Sequence, residues 1–214
     1  MTIDDYSKLV QILFYLTGGT VAVLTFLSAK KGLLNPINTE YHKIAFVKIR
    51  ELSEVLLSEF DPKSENYWAK DDPLEKYFKE VHEIFEKNKE QILKSKEFPM
   101  GRPSPRSFDR LTDIIREIKS EPFLPSEIRD IVVKHLESRT KMSFSIHMEE
   151  LDKYFKELVN GKYQGDLKHN YAFVHNRIND RMYKSGCGIS QVEEQIHEVR
   201  LAIQKYLKKY DPIK

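Results

Sequence analysis

Arg129-Asp130-Ile131-Val132-Val133-Lys134-His135 is the one segment of this chain whose residue types and spacing suggest chemistry. An imidazole can serve as acid or base at a 2′-hydroxyl or a leaving oxygen, and a permanently charged guanidinium stabilises phosphorane-like charge. Arg129 and His135 would be the catalytic pair and Asp130 a supporting residue, in phosphodiester cleavage that needs no metal. Six residues along a helix set two side chains about 120° apart, so a working site requires a kink or completion by a second protomer. The competing assignment is structural. His135 shares an apolar stripe with Ile128, Ile131 and Val132, where a hydrogen-bonded core histidine is common, and Arg129 then serves as a surface ion-pair partner.

Other polar groups carry less. His169 and His175 flank Asn170-Tyr-Ala-Phe-Val at a spacing that does not put two imidazoles on one helical face, so no metal site is expected. Asn176, Arg177, Asn179, Asp180 and Arg181 form a dense polar run that suits a polar interface, a ligand site or a solvated face. Cys187 is the sole cysteine, which excludes an internal disulfide and a cysteine zinc cluster and fits a reducing compartment. The sequence has no glycine-rich phosphate loop, HExxH, GxSxG or solenoid repeat, so most enzyme classes lose support and no cofactor is expected.

The elements that must position these residues read as helices. A helical period begins near Thr39 with Ile44, Val47, Leu52 and Leu56. Asp72-Pro73 suits a cap and first turn, and Leu74 to Leu93 keeps helical spacing as one long amphipathic helix. A proline-rich loop spans 98–106. Phe108, Leu111, Ile114, Ile115 and Ile118 mark the next helix, ended by Pro122 and Pro125. Ser126 can cap a helix through Leu136, and Met148 to Leu158 continues the pattern as the same helix or a second one. Gly161 to Gly165 interrupts it, Tyr171 to Met182 resumes it, and Ser190 with Glu193 forms a capping box for a final helix. No strand pair is evident.

Leu9 to Ala29 contains no charged residue and as a helix spans about 31 Å, the thickness of a hydrocarbon core. Asp4 and Asp5 stand where a signal peptide would be basic, and no small-x-small cleavage site precedes Lys30, so a membrane anchor is expected. Asn35-Pro36 is expected to break that helix. Lys30, Lys31, Lys43, Lys48 and Arg50 lie on one side and Lys8 alone on the other, which places the C-terminal part in the cytoplasm. Gln11, Tyr15, Gly18, Ala22 and Thr25 form a small or polar stripe suited to close helix packing in lipid, hence to a pore or oligomer face, although a simple anchor would tolerate the same residues.

The expected organisation is a short tail over 1–8, a transmembrane helix over 9–31, a linker over 32–40 and an all-helical domain over 41–214. With 35 basic and 33 acidic residues the formal charge is only +2, so no general nucleic-acid field is implied and DNA is not an expected partner. The RDxxxxH segment resembles the HEPN motif. Together with the N-terminal membrane helix and the all-α domain, it makes the chain similar in layout to the small membrane accessory proteins of type VI-B CRISPR systems. That resemblance implies an HEPN-like helical bundle at the bacterial inner membrane. It further implies a homo-oligomeric pore that depolarises the membrane and strengthens RNA-targeted antiviral defence, in partnership with an RNA-guided effector or its RNA and with membrane lipid. The alternatives are a membrane-tethered, metal-independent HEPN ribonuclease and a single-pass scaffold.

Overall fold

A computed structural model describes residues 3–68 and 73–210, with the side chains at 3–7, 9–11, 13, 31–37, 73, 167 and 168 outside that description. The described residues are all helix and connecting loop: α1 (Ile3–Leu57), α2 (Pro73–Ser95), α3 (Arg106–Ser120), α4 (Ser126–Val159), α5 (Leu167–Lys184) and α6 (Ile189–Lys208). The chain divides into two compact units, Met1–Lys48 and Ile49–Lys214.

In the first unit, α1 runs without interruption past Asn35-Pro36 and carries on into the second, so the expected break and linker are replaced by continuous helix. A proline withholds one backbone donor and crowds the carbonyl four residues earlier. That cost is local to one turn, and the helix of 55 residues continues across it. Phe14 to Lys30 is exposed at every position. Among the described residues no helix is long and apolar enough to cross a membrane. Leu9, Val10, Gln11 and Leu13, which complete the apolar stretch in sequence, lie outside the described side chains.

The second unit has two apolar cores. Ile49, Leu52 and Leu56 of α1 join Leu111 and Ile118 of α3, Ile128, Val132 and Leu136 of α4, and Val192, Ile196, Val199, Ile203 and Tyr206 of α6 in the first. Leu74, Tyr77, Phe78, Val81, Phe85 and Ile92 of α2 meet Leu151, Tyr154, Phe155 and Leu158 of α4 and Val174 of α5 in the second. The segments with Ser126 and Met148 are therefore one helix of 34 residues, whose first half belongs to one core and whose second half belongs to the other. A helix of that length extends about 51 Å, enough to serve two cores in succession.

The polar run on α5 divides: Asn176, Asn179 and Asp180 are exposed, and its two arginines form an interface with α4. Arg177 pairs with Glu150 and, at 3.6 Å, with Glu157, while Arg181 reaches Glu149 at 2.6 Å and Glu150 at 2.9 Å. Two guanidiniums thus pair with a buried carboxylate on α4 and tie α5 to it. The amino end of α6 is capped two residues earlier than expected. Gln191, not Glu193, accepts the N–H of Gly188 at 2.8 Å and donates to the Tyr183 carbonyl at 2.9 Å. Gly188 is required there, because a Cβ would stand 2.4 Å from the Tyr183 ring.

Candidate functional site

The first turns of α4 carry the Arg129-to-His135 segment, and the helix turns its polar members toward different neighbours. Arg129 extends to the loop after α3, with Nη1 3.5 Å from the Glu121 carbonyl oxygen and Nε 3.9 Å from Asp130 Oδ1. Asp130 is exposed. His135 faces α6, where its Nε2 lies 3.2 Å from Glu198 Oε2. Within one chain the guanidinium and the imidazole attend to separate partners.

His135 also lines a small apolar pocket between α1, α3, α4 and α6 with space of about 20 Å³, close to a single water. Neither Arg129 nor Asp130 lines it. The pocket's polar wall consists of residues that the sequence did not single out: Glu59, Arg110 and Arg139. Glu59, only 3% exposed, takes Arg110 on one carboxylate oxygen and Arg139 on the other, the latter at 2.5 Å. Burial pushes both guanidiniums down to about 10, which leaves them charged at neutral pH. Two positive charges against one carboxylate give this interior cluster a surplus positive charge. Arg139 follows Val132 and Leu136 on the apolar face of α4, whereas Glu59 lies in the turn just after α1, where helical periodicity gives no signal.

On α1, Tyr15, Gly18, Ala22 and Thr25 are all exposed, while the side chain of Gln11 lies outside the described residues. A Cβ added at Gly18 would meet nothing within 4 Å. The Thr20 hydroxyl donates to the Leu16 carbonyl at 2.8 Å, so this polar group is satisfied within its own helix.

The two weaker histidines separate. His169 pairs with Asp166 at 3.0 Å on the surface, whereas His175 stacks near Tyr171 and lines a cleft of about 600 Å³ between α4, α5 and the start of α6. Among the described residues no three His, Cys, Asp or Glu side chains are grouped to hold a metal ion. Compared with known proteins, the chain matches no family model, no curated protein and no solved structure.

Proposed function

We propose that this chain is a single-pass protein of the bacterial inner membrane whose copies assemble through α1 into a pore, with the α2–α6 bundle in the cytoplasm. The observation that carries the reading is the continuity of α1. A helix without a break from Ile3 to Leu57 passes through the uncharged, fully exposed stretch from Phe14 to Ala29 and ends in a packed core. A helix satisfies its own backbone in hydrocarbon, and exposed Phe14, Leu16, Val21, Val23, Leu24, Phe26 and Leu27 are costly in water. Leu9 to Leu13 extends the apolar stretch to the length of a bilayer core. One span cannot enclose a channel, so conduction requires several copies, and the stripe of Gln11, Tyr15, Gly18, Ala22 and Thr25 supplies a face on which helices can approach closely.

The layout, with its RDxxxxH segment, resembles that of the accessory proteins of type VI-B CRISPR systems, and on that resemblance we take the pore to act in RNA-targeted antiviral defence by depolarising the cell. An RNA-guided effector or its RNA is the expected trigger. Light-scattering mass of the full chain in a mild detergent tests the assembly. A discrete oligomer is expected, and a monodisperse monomer across mild detergents contradicts the reading.

A further inference from the structure

The cleft between α4, α5 and the amino end of α6 has the chemistry of a ligand site, and it is separate from both the Arg129-to-His135 segment and the membrane stretch. Two helices face each other across it with polar side chains four residues apart. Arg139, Ser143 and His147 come from α4, and His175, Asn179 and Tyr183 come from α5. A spacing of four keeps each set on one helical face, so the convergence follows directly from the sequence pattern. Trp68, Tyr171 and Arg106 complete the wall.

Charge and shape narrow the ligand. Among the described residues no carboxylate lines the cleft, whereas two guanidiniums and two imidazoles do. Arg139 belongs to the cluster in which Glu59 is shared with Arg110, so its positive charge is only partly offset. Gly188 and Ile189 bring the positive end of the α6 dipole to the same cleft. Cys187 adds no opposing charge, because burial pushes its thiol up. Guanidinium forks and imidazoles favour phosphate oxygens, and the rings of Trp68, Tyr171 and Tyr183 offer flat surfaces on which a base can stack. A volume of about 600 Å³ falls within the range of small-molecule sites.

We propose that this cleft binds a nucleoside phosphate, with the phosphate toward Arg106, Arg139 and the α6 amino end and the base against the aromatic wall. Trp68 is the sole tryptophan and sits on the cleft, so its fluorescence reports occupancy directly. The experiment titrates the full chain in detergent with the four nucleoside 5′-monophosphates, adenosine, inorganic phosphate and a single-stranded RNA hexamer. Calorimetry serves as a second readout.

The expected result is saturable quenching by at least one monophosphate, at least about tenfold tighter than by adenosine or phosphate alone. His175→Ala and Asn179→Leu should each weaken it by about tenfold or more while leaving the thermal melt in place. Two independent variants guard against misfolding in either. The inference is overturned by the absence of saturation with every monophosphate up to about 10 mM, or by affinity unchanged in both variants. It is equally overturned if phosphate alone binds as tightly, which would mean a simple anion site, or if the RNA hexamer binds more tightly than every monophosphate.

Discussion

Glu59 is a carboxylate withdrawn from water and held between Arg110 and Arg139, and its charge is tolerable only while both remain. Arg139→Met removes the more buried guanidinium and leaves the carboxylate with one partner. The expected cost is about 3 kcal/mol, read as a lower urea midpoint. Phenols offer a second test. Burial pushes Tyr77 and Tyr154 up to about 12 from the ordinary value of 10.0. The folded state thus favours the neutral phenol, so this stabilisation is fully present below pH 10 and is lost as pH rises from 10 toward 12. Helix content should fall in that window together with the rise of tyrosinate absorbance, and Tyr154→Phe should move the loss to higher pH. Arg129 and His135 stand differently. Each has its own partner, the Glu121 carbonyl for one and Glu198 for the other.

Among the elements, α4 organises the cored unit, because one helix of 34 residues contributes to both apolar cores and to the seam with α5. The helices themselves were legible in the sequence. Periodic apolar residues from Leu74 to Leu93 and the glycines at 161 and 165 marked α2, the end of α4 and the start of α5 within a few residues, although non-helical backbone at Asn88 kinks the stretch that reads as one long helix, and the expected cap at Asp72 lies outside the described residues. Three features were not legible, for physical reasons. Proline at 36 reads locally as a breaker, yet α1 continues through it, because the lost donor and crowded carbonyl cost one turn of a helix 55 residues long. The cap of α6 lies at Gly188 and not Ser190, because Gln191 reaches both the Gly188 N–H and the Tyr183 carbonyl, a tertiary choice that a capping-box pattern cannot contain. Glu59 comes from the turn after α1, Arg110 from α3 and Arg139 from α4, and only packing brings them together. The α5–α6 turn gives a prediction of its own. Gly188→Ala drives a methyl into the Tyr183 ring and should cost about 1–3 kcal/mol in the thermal melt, with Tyr183→Ala in the same chain recovering most of the loss.

At the scale of the whole molecule, one helix leaves an uncharged, exposed stretch in the first unit and contributes Ile49, Leu52 and Leu56 to the core of the second. The membrane account assigns lipid and neighbouring copies to the first and water to the second. Gly18 separates assembly from folding, since a side chain built there meets nothing within 4 Å in the single chain. Leucine is also a better helix former than glycine, so Gly18→Leu should leave the monomer fold unchanged by circular dichroism and act only where helices pack together. The most direct measurement is collapse of a potassium-diffusion potential in vesicles reconstituted with the full chain, followed by a voltage-sensitive dye. The account predicts rapid collapse with the unaltered chain and a held potential with equally incorporated Gly18→Leu. Vesicles that hold their potential with the unaltered chain fully inserted would contradict it.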